Sequence, residues 1–130
     1  MKQVIELREP TDNINCPNKL FDKIKKVNIN YDRENLILFT LNTKNQLIDT
    51  HVIAIGGLNY CVCDPKVIFR TALLDNANSF IMAHNHPSGN LSPSSEDRKY
   101  FDRIKTLGES LTLNCLDSII FNENEYYAMR

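Results

Sequence analysis

The chain has 130 residues, enough for one domain to bury a sizeable core and too few for a second. Hydrophobic residues make up 42% and charged residues 24%, the balance of a globular protein. Fifteen basic against sixteen acidic side chains leave a formal charge of -1, so no overall field draws the protein to nucleic acid or to an anionic membrane.

In chain order, Met1 to Asn15 is polar and charged, without the apolar core of a signal peptide. No apolar run approaches membrane-spanning length, so the expected compartment is the cytoplasm. There Cys16, Cys61, Cys63 and Cys115 are expected to be reduced thiols. Cys61 and Cys63 can share a strand face, but no second pair completes a zinc set, and a structural role is expected. Val4-Ile5-Glu6-Leu7 is strand-like, and a turn at Pro10-Thr11-Asp12-Asn13 follows it. Residues 1–30 are read as an N-terminal arm and helix, and residues 31–130 as the core that carries the site. From Asn18, Leu20, Ile24 and Val27 recur at helical spacing, with Phe21 widening the stripe and lysines on the other face.

Leu36–Leu41 and Leu47–Ile55 are apolar runs separated by the turn residues 42–45, the pattern of a buried antiparallel hairpin ended by Gly56-Gly57. Asp64-Pro65 starts a helix as cap and first-turn proline. Its core stripe is read as Phe69, Ala72, Leu73 and Ala77. A strand over Ser79–Ala83 follows. A further helix is expected to begin at Ser94, to bury Tyr100, Ile104 and Leu107, and to stop at Gly108. Leu111–Phe121 reads as a long strand with Tyr126–Met129 as its hairpin partner. His51 and the Tyr126-Tyr127 pair are read as edge-strand residues. The sum is an α/β (α+β) fold, a single mixed β-sheet flanked by helices.

The chemistry gathers in Ala83–Asp97, which reads AHNHPSGNLSPSSED. Alternate side chains of an extended chain share a face, so His84 and His86 can reach one metal together. Pro87 and Gly89 stop the strand, and Ser94-x-x-Asp97 is a capping sequence that aims a carboxylate back toward the histidines. Two imidazoles and one carboxylate form the protein ligand set of a catalytic zinc that keeps one position for water. Such a site also needs a base to take the proton from that water. Glu34, Asp49 and Asp117 are candidates that residue chemistry alone leaves undecided, while Asp64 is accounted for as a helix cap.

The run His-Asn-His-Pro-Ser-Gly followed by Ser-Pro-Ser-Ser-Glu-Asp closely resembles the signature of the RadC family, a bacterial branch of the JAB/MPN metalloprotease superfamily whose zinc motif is called JAMM. The resemblance spans about residues 30–130. Glu34 falls on the acidic position before the first core strand, Gly56 on the glycine that ends the second, and Pro65 on the helix-opening proline. It implies a JAB/MPN-like (cytidine-deaminase-like) domain in which His84, His86 and Asp97 hold zinc. It also implies Glu34 as general acid/base and Ser94 as a hydroxyl that steadies the developing oxyanion. The expected activity is hydrolysis of a peptide or isopeptide bond in a peptide or protein substrate. The family association with DNA repair and mobile elements supplies the alternative of an accessory module with a structural or vestigial zinc, which the net charge does not favour.

Three positions in two places depart from the family pattern. Lys66-Val67 stands where an arginine and a glutamate are frequent, and Ser118 where a histidine often follows the late aspartate. The helix-hairpin-helix region that usually precedes the RadC catalytic domain is not expected within these 130 residues. Two other zinc families share letters with the motif and fail on spacing. HNH nucleases spread their residues over a hairpin and helix, and nucleobase deaminases need a glutamate where His86 stands.

Overall fold

The computed structural model describes residues 14, 16–55 and 63–130. The Val4–Leu7 run, the turn at 10–13, the Gly56-Gly57 stop and Cys61 lie outside those residues. Among the described residues, eight elements follow the expected order: α1 (Pro17–Lys25), β1 (Asn35–Leu41), β2 (Leu47–Ile55), α2 (Pro65–Leu74), β3 (Ser79–Asn85), α3 (Ser95–Leu111), β4 (Asn114–Phe121) and β5 (Tyr126–Ala128). The five strands form one mixed sheet in the order β2-β1-β3-β4-β5. β1 pairs antiparallel with β2 and β3, β4 antiparallel with β5, and β3 parallel with β4 through the α3 crossover.

Strand alternation separates two cores. Ile37, Phe39 and Leu41 join Ile81, Ala83, Ile119 and Phe121 on one face, where α1 lays down Leu20, Phe21 and Ile24. Leu36, Leu38, Phe80, Met82 and Cys115 form the other, under Ile68, Phe69 and Ala72 of α2 and Phe101 and Ile104 of α3. β1 and β3 are buried along their whole lengths, which is why their sequences are almost continuously apolar rather than alternating. Phe39, Phe80 and Phe121 are fully enclosed, and truncating any of them to alanine costs about 3–5 kcal/mol. Among the described residues, no helix is long and apolar enough to cross a membrane.

Local chemistry explains most boundaries. Asp64 caps α2 by accepting from the Lys66 amide at 2.9 Å, as its position before Pro65 requires. α2 ends at Leu74 because Asn76 turns into the left-handed region at φ 55°. Ala77, expected in the helical stripe, therefore sits in the turn beyond it and is half-buried. Leu73 is a correction: it is 63% exposed, because Ile68, Phe69 and Ala72 already complete the stripe that meets the sheet.

A second correction concerns α3, which runs through Gly108 to Leu111 and leaves Leu107 exposed. Thr112, left-handed at φ 53°, ends the helix, and β4 starts at Asn114 rather than Leu111. Gly108 serves a different purpose from a stop. The chain folds back over it, with the Leu113 amide donating to the Gly108 carbonyl at 2.9 Å, and a Cβ at this position would meet the Leu113 carbonyl oxygen at 2.4 Å.

Candidate metal centre

β3 carries its side chains alternately to the two faces, so Met82 and His84 point toward α3 while Ala83 packs on the α1 side. The centre forms where β3 ends and α3 begins, at the carboxyl edge of the parallel pair, the usual place for a site in such sheets. The turn after His86 closes through the Gly89 amide, which donates to the His86 carbonyl at 2.8 Å, with Gly89 itself at φ 78°.

Asp97 occupies the third position of α3 and completes a reciprocal cap. Its amide donates to Ser94 Oγ at 3.0 Å, and the Ser94 amide donates to Asp97 Oδ2 at 2.8 Å. The cap points the carboxylate outward from the helix start, between the two imidazoles. His84 Nε2 lies 3.1 Å from Asp97 Oδ1, and His86 Nε2 lies 2.9 Å from Oδ2. One ligand atom from each of the three residues falls within 4.8 Å of the others, so the group can hold a single metal ion.

Electrostatics and tautomers suit that use. Burial by itself raises the Asp97 carboxyl, but hydrogen bonds with His84, His86 and the Ser94 amide hold it well below the usual carboxylate range. His86 is raised, chiefly by its hydrogen bond to Asp97 and against its partial burial. The His86 Nδ1–H donates to the Asn90 carbonyl at 2.7 Å, which leaves Nε2 as the lone-pair nitrogen of the neutral ring. In the metal-free protein the contact with Asp97 favours a second proton on His86 Nε2, and a metal must displace that proton to bind there.

Glu34, immediately before β1, is only 3% exposed. It lines a narrow hollow of about 10 Å³ together with His84, Asp97 and Tyr100. It also lines an open cleft of about 380 Å³ with His86 and Ser94. The other two acids that the sequence left open lie elsewhere. Asp117 is on the α1 side, lining a hollow with Cys16 and Leu20 and accepting from the Ser118 and Arg130 amides at 2.7 and 3.0 Å. Asp49 belongs to a second group with His51 and Asp75, on edge strand β2 and the end of α2.

The structure places His84, His86 and Asp97 in one group, with Glu34 and Ser94 lining the adjoining cleft. Sequence reasoning missed Asn90, whose main-chain carbonyl does the work and leaves no side-chain signal. It also missed Tyr100 as a brace, whose hydroxyl donates to the Cys63 carbonyl at 2.6 Å and ties α3 to the approach of α2.

The RadC-like JAB domain family matches residues 14–130. A UPF0758 protein of Carboxydothermus hydrogenoformans is 44% identical over 98 residues, 75% of this chain and 43% of that protein. Another, of Chlorobium chlorochromatii, is 41% identical over 98 residues, 75% of this chain and 44% of its own length. One from Methanosarcina mazei is 33% identical over 124 residues, 95% of this chain and 54% of its own. The chain thus spans about half the length of the curated relatives it matches.

Proposed function

Because this chain belongs to the RadC-like JAB domain family of the JAB/MPN superfamily, we propose that it is a zinc-dependent hydrolase of peptide or isopeptide bonds. The observation that carries the reading is the convergence of His84, His86 and Asp97 on one point with the buried Glu34 lining the same cleft. The residues fit the metal: two imidazoles and one carboxylate are the open zinc set, and the Asn90 and Ser94 contacts fix the orientation of the ligands. Bound there, zinc would supply a Lewis acid and bring the pKa of a water toward ~7.

The remaining steps fall to side chains. Glu34 accepts the proton of the attacking water and passes it to the leaving amine, as a general base and then a general acid. Ser94 retains a donor for this chemistry, since its Oγ accepts from the Asp97 amide while its own O–H remains to be given to the developing oxyanion. The cleft that Glu34 shares with His86 and Ser94 admits the scissile segment from the solvent side.

The test pairs metal analysis of protein purified without added zinc with a Glu34→Gln variant assayed on a panel of fluorogenic peptides and isopeptides. The expected result is about one equivalent of zinc in both proteins and at least a hundredfold loss of hydrolysis in the variant. Protein that takes up no zinc, or a variant as active as the parent, sinks the proposal.

A further inference from the structure

We infer that Asn85, the residue between the two histidines, is a positioning residue that sets Glu34 against the metal centre. Strand alternation turns its side chain away from the face that carries His84 and His86, and it is 1% exposed. With Leu36 opposite His84 in the β1–β3 register, the next step along the two antiparallel strands brings Asn35 beside Asn85.

The Asn85 amide grips the main chain on both sides of Glu34. Its Oδ1 accepts from the Asn35 amide at 2.8 Å, the peptide that follows Glu34. Its Nδ2 donates to the Arg33 carbonyl at 2.8 Å, the peptide that precedes Glu34. Further bonds run from Nδ2 to the Tyr31 carbonyl at 3.3 Å and from Asn35 Nδ2 to Oδ1 at 3.1 Å. Asn35 closes the loop from the other side, donating to the Asn30 and Arg33 carbonyls at 2.8 and 3.0 Å.

Oδ1 faces two donors, the Asn35 amide and Asn35 Nδ2, and Nδ2 faces main-chain carbonyls, so the orientation of the amide is dictated, and no other side chain of this length offers both an acceptor and two donors. An aspartate lacks the donors and a leucine lacks both. The residue that fixes the segment holding Glu34 is thus bonded in sequence to both histidines. One short strand end therefore carries two metal-binding side chains on one face and the anchor of the acid on the other.

This inference rests on the proposed role of Glu34, and its test separates the two. Wild type, Asn85→Ala, Glu34→Gln and the double variant are loaded with Co(II), and the visible absorption of the metal is followed against pH. About one equivalent of cobalt is expected in each, since the three metal-binding side chains are untouched. The spectral midpoint is expected to move by about one pH unit in Glu34→Gln. Asn85→Ala should move it the same way by at least half as much, and the double variant should go no further than Glu34→Gln alone, because both act through one group.

An Asn85→Ala midpoint equal to wild type, or effects that add in the double variant, overturns the inference. Where Asn85→Ala does not fold, Asn35→Ala replaces it, with the same coupling to Glu34→Gln expected and the same outcomes against it. No bound cobalt in wild type, or a Glu34→Gln midpoint unchanged from it, overturns the role of Glu34 itself and takes that of Asn85 with it.

Discussion

Among the described residues, two groups of histidine and aspartate stand on this sheet, and they differ in what surrounds them. His84, His86 and Asp97 gather at the carboxyl end of β3. Asp49, His51 and Asp75 gather beside Thr40, which the register places opposite Phe80, near the start of the same strand. From His84 to Phe80 is four residues, roughly 13 Å along the strand. In the first group two imidazoles share the two oxygens of one buried carboxylate. In the second, one half-exposed imidazole lies 2.6 Å from Asp75 and 3.7 Å from Asp49. The first has its ligand orientation fixed from outside by Asn90 and by the cap at Ser94, and it opens on a cleft with an acid in it. The second sits on an edge strand with Thr40 bonded to Asp75. Residue types already separate the groups, two imidazoles against one, and orientation and access widen the difference in favour of the first as the candidate centre.

The largest effect expected from this difference is on metal uptake. His84→Ala, His86→Ala or Asp97→Ala each removes a direct ligand, and zinc affinity should fall by more than about a hundredfold, beyond what loss of an outer contact costs. His51→Ala should leave affinity and a stoichiometry of about one unchanged. Calorimetric titration of zinc into the four variants checks this, and a second equivalent that disappears in His51→Ala would erase the distinction between the groups.

The next effect is on pH. His86 is raised by Asp97, so its contribution to stability in the metal-free protein is fully present below its unfolded value of about 6.5 and is lost as pH rises through the raised folded value. Asp97 is lowered, and its contribution is present above about 4 and lost as pH falls. The metal-free protein should therefore gain most from this pair between about pH 4 and 6.5. Zinc must displace the His86 proton, so its affinity should rise with pH, about tenfold per unit, until the raised value is passed. Zinc titrations from pH 5.5 to 8 read this slope. A flat profile would mean that the proton bridging Asp97 to His86 does not compete with metal.

The parts of this arrangement legible in the sequence are those with a local or periodic cause. β1 and β3 declare themselves as apolar runs because both faces are buried. Asp97 declares itself through the cap it makes with Ser94, three residues away. Residue chemistry alone left Glu34 as one of three acids and the family resemblance singled it out; register, a long-range property, lays it along a hollow with His84 and puts Asp117 on the α1 side. Leu73 and Leu107 were misread because helical periodicity gives the direction of the buried stripe without its width. Asn85 was silent for a different reason: most of its partners are main-chain groups, of Tyr31, Arg33 and Asn35, and a backbone atom fifty residues away leaves no pattern in the residue types around it.

The smallest expected effect compares the outer contacts of the two groups directly. Ser94→Ala deletes the acceptor for the Asp97 amide, which should cost about 1 kcal/mol of stability as a lost helix cap. The same loss slackens the carboxylate that the cap orients, and zinc affinity should drop by about tenfold. Thr40→Val deletes the hydroxyl that donates to Asp75 at 2.7 Å and accepts from the Asp49 amide at 3.2 Å, also costing about 1 kcal/mol. Here the zinc affinity should stay where it is. Thermal unfolding read beside zinc titration separates the two kinds of loss: equal destabilisation with unequal metal binding is the expected pair of results. If Thr40→Val weakens zinc as much as Ser94→Ala does, the change reaches the metal through general loosening of the sheet, and the cap is no more than a helix start.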